Sequence, residues 1–211
     1  MTRDHDQDEH DHHHDHHHHD HHHDHDDPRA LRAEALEEIM IERGLVDPAR
    51  IDAVLDYFEN DLGPLNGARL VARAWTDEDF RRHLLSDGTG AMESMGLDGP
   101  QVDHLVVVEN TDTVHNVVVC TLCSCYPWGL LGLPPAWYKS FAYRSRVVRE
   151  PRAVLDEMGC ALPDEVEIRV WDSSAEVRYL VLPERPPDAD TTDLAELASR
   201  VTRDLMIGVA R

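Results

Sequence analysis

The first 27 residues cannot contribute to a hydrophobic core. They hold 13 of the chain's 16 histidines and ten acidic residues, interleaved as in His12-His13-His14-Asp15-His16, with no apolar side chain after Met1. A segment with nothing to bury cannot offset the entropy of ordering its backbone, so residues 1–27 are expected to form a disordered tail. Every folded element must come from residues 28–211, enough for one domain or for one domain with an extended arm. The chain carries 42 acidic against 20 basic residues, and the portion beyond the tail is still acidic, which argues against nucleic acid as a partner. No apolar run reaches the length of a transmembrane helix, and the N-terminus lacks a signal peptide's hydrophobic stretch. No membrane association and a cytoplasmic location are therefore expected.

The next part of the chain reads as helical. Leu31, Ala35, Ile39 and Met40 share one face of a predicted helix over residues 28–43, with Gly44 as its stop. Asp47-Pro48 supplies a cap and first position for a second helix through Ile51, Val54, Leu55 and Phe58. A third begins near Leu65, and a fourth follows a capped start at Thr76-Asp77-Glu78-Asp79. The pattern changes near residue 100. β-Branched runs at 105–108 and 117–119, separated by a polar stretch, predict two strands paired with each other. Pro134-Pro135 opens a helix through Tyr143 and Val147, and Pro151 a short one ending at Gly159. Strands over 165–171 and 177–182 and a final helix over 193–205 complete an α+β fold. Its expected parts are the tail (1–27), a helical N-terminal arm (28–99) and a compact layered α/β domain (100–211) that binds metal and carries catalysis.

Three of the four cysteines fall within six residues, as Cys120-Thr121-Leu122-Cys123-Ser124-Cys125, directly after the second strand run. In a reducing compartment such crowding reads as metal binding or catalysis and not as a disulfide framework. A structural zinc site wants four ligands, usually two pairs from two loops. The remaining cysteine is distant Cys160, best read as a core residue, and neither His104 nor His115 stands at a standard zinc spacing. The single residue between Cys123 and Cys125 has another consequence. A metal held by both sulfurs lies beside the backbone nitrogens of Ser124 and Cys125. With those amides deprotonated, successive chelate rings have six, five and five members, so two nitrogens and two sulfurs can form a square plane. Cys120 then fills an axial position and leaves a sixth one open. Such donors suit a low-spin trivalent ion, cobalt(III) or iron(III), better than zinc.

The run Val118-Val119-Cys120-Thr121-Leu122-Cys123-Ser124-Cys125 is followed by Trp128, Gly132-Leu133-Pro134-Pro135 and Trp137-Tyr138-Lys139. Tyr143-Arg144, Arg146 to Arg152, Arg169-Val170-Trp171-Asp172, Glu176, Arg178-Tyr179 and Val181 to Pro186 complete the set. Together these residues resemble the nitrile hydratase α subunit over residues 28–211. The resemblance implies that fold, hydration of a small nitrile to its amide, and action with a β subunit in an αβ or α2β2 assembly, with a cobalt activator or chaperone loading the site. It also implies Cys120 as an unmodified thiolate, Cys123 as a sulfinate, and Cys125 as a sulfenate whose oxygen serves as nucleophile or base. Ser124 and Cys125 supply amide nitrogens. Thr121 stands where cobalt-type members have threonine and iron-type members serine, which favours cobalt(III) over iron(III). Gln101 is implied as a hydrogen-bonding residue near the centre, Trp128 and Tyr126 as pocket residues, and Asp172, Glu176 and Arg178 as polar support. Two positions depart from the family pattern: Tyr126 replaces a common threonine, and Gly129 a common proline, so a more mobile loop is expected there.

Three other readings compete. The γ subunit of thiocyanate hydrolase shares the cluster and scaffold. A metal-storage or interaction protein would be led by the tail, and a redox thiol protein would use Cys120 and Cys123. The storage reading leaves the chelating spacing around Ser124 unexplained, and the third cysteine and the lack of a strand–helix redox context weigh against the thiol reading. Within the tail, His12, His13, His14, His16, His17, His18, His19, His21, His22 and His23 are suited to borderline divalent ions, and the tail is read as a gatherer of cobalt for the cluster.

Overall fold

The computed structural model describes residues 28–58, 65–99 and 104–211. The histidine tail and Gln101 lie outside the described residues. The chain divides into two compact units, Met1–Pro48 and Ala49–Arg211. In the first, α1 (Pro28–Glu42) closes with Leu45 and Val46 N–H groups returning to the Met40 carbonyl. Its Leu31, Leu36 and Ile39 side chains are exposed.

The second unit opens with α2 (Pro48–Asp56), which has no buried residue. The following α3 (Leu65–Thr76) buries Ala68, Leu70, Val71, Ala72 and Ala74, packing mainly on α6 (Trp128–Leu131) and α10 (Leu194–Ser199). At α4 (Glu78–Ser86), the expected cap forms as Asp77 accepts from the Phe80 N–H at 2.9 Å, and Phe80 and Leu84 enter the core. A helix not foreseen, α5 (Gly88–Ser94), starts on a similar bond from the Gly90 N–H to Asp87. Both α4 and α5 pack on the first strand.

Among the described residues, four strands form two parallel pairs. β1 (Leu105–Glu109) pairs with β4 (Arg178–Leu182), and β2 (Val114–Val119) with β3 (Glu167–Asp172). The expectation that β1 pairs with β2 fails, leaving a single antiparallel bridge, Thr111 to Val114. Side chains have taken the groups that ladder would use. The Asn116 N–H donates to Asn110 Oδ1 at 2.7 Å, and Asn116 Nδ2 donates to the Glu109 carbonyl at 2.7 Å. Both asparagines are buried, and an amide with full hydrogen bonding is stable there.

Between β2 and β3, α6 is followed by α7 (Ala136–Lys139), α8 (Phe141–Arg146) and α9 (Pro151–Glu157). The helix expected from Pro135 through Val147 is thus two. Ser140 sits between them in extended conformation (ψ 141°), its hydroxyl accepting from the Tyr143 N–H to start α8. The expected last helix is likewise split into α10 and α11 (Arg203–Ile207). Thr202 restarts the second piece by accepting from the Leu205 N–H, and buried Val201 ties the break to the core. Past α11, Gly208 adopts φ +86°, and a Cβ there would lie 1.9 Å from the Asn116 carbonyl oxygen. Its own carbonyl accepts from His115 Nε2 at 2.8 Å, fastening the end of the chain against β2.

Candidate metal centre

β2 delivers the chain into the cysteine loop. Val119 ends the ladder by accepting from the Ser173 N–H at 2.7 Å. Consecutive carbonyls of a strand face opposite sides, so that of Val118 points away from β3, where the Tyr143 hydroxyl donates to it at 2.7 Å. Beyond the strand, Asp172 at the end of β3 receives both the Thr121 N–H (2.9 Å) and the Thr121 hydroxyl (2.6 Å). The Cys123 N–H turns back to the Cys120 sulfur at 3.3 Å, and the loop closes where Tyr138 donates to the Cys125 carbonyl at 2.9 Å.

This bracing brings three sulfurs together. Cys120 and Cys123 Sγ are 3.5 Å apart and Cys123 and Cys125 Sγ 3.3 Å, with all three within 4.8 Å of one another. Cys120 and Cys125 are buried, and Cys123 is exposed. Burial, reinforced by the neighbouring Cys123 and Cys120 thiols, pushes the Cys125 thiol up to about 12, against a lowering influence from the Arg178 guanidinium. Cys123 moves the other way, drawn down first by hydrogen bonds from the Cys125 and Cys120 thiols. The neighbouring Ser124 and Cys125 backbone N–H groups lower it slightly further, against burial, which raises it. Soft sulfur donors crowded this closely fit a thiophilic transition ion.

The other residues singled out in the sequence are placed unevenly. Asp172 braces the loop directly, and Arg178, buried at the start of β4, acts on Cys125 while donating to the Ser174 carbonyl. Glu176 lies in the β3–β4 turn, where it accepts from the Ser174 hydroxyl at 2.9 Å and so shapes that turn. Trp128 is half-buried with its ring edge-on to Phe58 at 5.5 Å. Tyr126 is 1 % exposed, packed edge-on to Tyr138 at 5.1 Å, so it sits beneath the loop in the core. Gly129 is buried, and a Cβ on it would stand 3.0 Å from Gly99 Cα, so its glycine serves a close backbone approach. Cys160 is buried in the core, as expected. Sequence reasoning assigned no role to Tyr138, Tyr143 or Arg144. Arg144 reaches the Thr121 carbonyl at 3.5 Å, and in sequence all three read as ordinary residues of an aromatic helix.

A loop that gathers three cysteine sulfurs at the end of a parallel strand defines a thiolate metal-binding protein of α+β fold. The chain belongs to the nitrile hydratase α-chain family, whose family model, "Nitrile hydratase, alpha chain", matches residues 27–210. It is 54% identical over 180 residues to the high-molecular weight cobalt-containing nitrile hydratase subunit alpha of Rhodococcus rhodochrous, covering 85% of this chain and 89% of that protein. It is 44% identical over 187 residues to thiocyanate hydrolase subunit gamma of Thiobacillus thioparus, covering 83% and 76%. A solved double mutant of the Fe-type nitrile hydratase from Comamonas testosteroni Ni1 superposes with a TM-score of 0.77 at 45% identity, covering 87% of this chain and 89% of that one.

Proposed function

We propose that this chain is the α subunit of a cobalt nitrile hydratase, hydrating small nitriles to amides together with a β subunit in an αβ or α2β2 assembly. The ligands are Cys120, Cys123 and Cys125 with the backbone nitrogens of Ser124 and Cys125. The observation that carries this reading is the gathering of three cysteine sulfurs within 4.8 Å of one another, on one loop of a chain that the nitrile hydratase α-chain family model matches. A trivalent ion bound there supplies Lewis acidity toward a nitrile or a water molecule.

The chain's own residues arrange the rest. Asp172 fixes the start of the loop through Thr121, and Tyr138 fixes its end. Arg178 stabilises negative charge on Cys125, the residue we assign as sulfenate and as nucleophile or base. Cys123, exposed and already acidified by its neighbours, is assigned as the sulfinate. Gln101 and Ser124 complete the catalytic set, Glu176 adds polar support, and Trp128 lines the pocket with Tyr126 beneath. Leu122 and Phe141, 85% and 78% exposed, leave an apolar surface that the β subunit would cover. Cobalt is favoured by Thr121 and by the cobalt-containing relative, and iron is the alternative, given the Fe-type structure of similar fold. The histidine tail gathers divalent cobalt in the cytoplasm for a loading chaperone. Deleting residues 2–27 should lower cobalt occupancy in metal-limited medium, and unchanged loading would refute that role.

The deciding experiment is co-expression with the β partner in cobalt-supplemented medium, followed by metal analysis and an acrylonitrile assay. Cobalt with amide formation supports the reading. Cobalt without amide, but with ammonia and carbonyl sulfide released from thiocyanate, would move the assignment to a thiocyanate hydrolase. Iron in place of cobalt would overturn the metal assignment and leave the reaction standing.

A further inference from the structure

The cysteine loop is gripped from below by two buried phenols whose roles differ. Tyr143 donates to the carbonyl of Val118, on the edge of β2 away from β3, its one strand partner among the described residues. Tyr138 donates to the carbonyl of Cys125, the last sulfur donor. The rings contact each other at 5.8 Å, and Tyr138 also meets Tyr126 at 5.1 Å. In an unbroken helix, residues five positions apart would point about 140° away from one another. The extended Ser140 between α7 and α8 removes that constraint, so both hydroxyls reach one loop. Tyr138 is 0% exposed and Tyr143 6%, so water does not substitute for either donor without repacking the core.

We propose that Tyr138 is a positioning residue for the metal centre, an inference that rests on the ligand set proposed above. Cys125 contributes both its sulfur and its backbone nitrogen, and both directions follow from the orientation of its Cα. Holding its carbonyl fixes that orientation, so the Tyr138 bond sets where two of the five protein donors point. Tyr143 holds the strand before the first cysteine and governs no donor directly.

The test compares Tyr138→Phe with Tyr143→Phe in the cobalt-loaded complex with the β subunit, each variant keeping its ring. Cobalt content, the sulfur-to-metal charge-transfer absorption, kcat, KM and thermal midpoint are measured. Tyr138→Phe should bind cobalt at the wild-type ratio, shift the absorption band, and lower kcat about 10- to 100-fold with KM little changed. Tyr143→Phe should lower the thermal midpoint comparably while leaving the band in place. An unmoved band in Tyr138→Phe, or equal shifts in both variants, would overturn the proposal. If Tyr138→Phe fails to assemble, site-specific fluorotyrosines at 138 keep the ring and the donor while strengthening the hydrogen bond. The band should then move in step with phenol acidity, and an invariant band would again overturn the proposal. A wild-type complex that shows the band but forms no amide would instead refute the assigned reaction and leave the spectral comparison valid.

Discussion

Two helices with apolar faces end in opposite circumstances. α3 buries Leu70, Val71 and Ala72 completely, whereas α1 leaves Leu31, Leu36 and Ile39 between 45% and 58% exposed. Sequence periodicity named a face for α1 but only a starting point for α3. Burial needs something to cover that face, and for α3 the chain provides it in α10 and α6. The contrast separates what the chain's fold needs for itself from what it holds available for another surface, and substitutions on each side should respond differently.

The domain side should break most severely at Gly208→Ala. The backbone there is left-handed, and the new Cβ would collide with the Asn116 carbonyl while displacing the acceptor of His115. A loss above about 4 kcal/mol is expected, enough to leave little folded protein on purification. Soluble expression with a wild-type thermal midpoint would show that the end of the chain is not fastened to β2. Leu70→Ala comes next, at about 2–5 kcal/mol for a fully buried leucine, read as a lower midpoint in urea.

Asp172→Ala belongs to the same packed side, but its effect should fall on the site. It removes both bonds to Thr121 on the partly exposed rim of the loop, so the fold should survive while cobalt occupancy or kcat falls about 10- to 100-fold. Asp172→Asn keeps one acceptor and should recover part of that loss. If both variants retain full occupancy and rate, the loop does not depend on this brace.

A smaller effect should appear in the pH dependence. Burial holds the His115 pKa below its ordinary 6.5, partly opposed by its bond to the Gly208 carbonyl, with Arg211 lowering it and Glu184 raising it slightly. The unfolded chain therefore binds the proton more readily than the folded one. This contribution to stability is complete above 6.5 and is lost as pH falls through the folded value, with a slope of at most about 1.4 kcal/mol per pH unit. His115→Gln should flatten the denaturation midpoint between pH 7 and 5. An identical acid-side slope in the variant would show that His115 already protonates in the folded state.

How much of this could be read in advance differs by level. Helix starts were legible where one residue decides them, as with Pro28, Pro48, the Asp77 cap and Pro151. Strand existence was legible from β-branched runs, but partners were not, because Val-rich sequence carries no information about which edge it meets. The Asn110 and Asn116 side chains, which block the local hairpin, read as turn polarity. Gly88-Thr89-Gly90 carried no helix signal, because glycine disfavours helix, although Asp87 makes it a helix start. In the site, the crowding of three cysteines in six residues pointed to metal binding, and their sulfurs do gather within 4.8 Å. The groups that aim the loop were not legible in the same way. Tyr138 lies 13 residues beyond Cys125, in a helix whose aromatic residues look like packing until the Ser140 break turns them inward.

The exposed face of α1 gives the smallest expected effect on the chain itself. Leu36→Ala should change its stability by no more than about 0.5 kcal/mol, since the side chain is 58% exposed and loses few contacts. If the β subunit covers this face, the same substitution, made together with Ile39→Ala, should weaken the complex while leaving the urea midpoint of the α chain in place. Affinity measured by titrating purified α chain with β would show it, because apolar side chains at an interface act on association and not on the fold that presents them. A lower α-chain midpoint with unchanged affinity would mean that α1 is buried by its own chain in solution. That result would remove the distinction between the two helices.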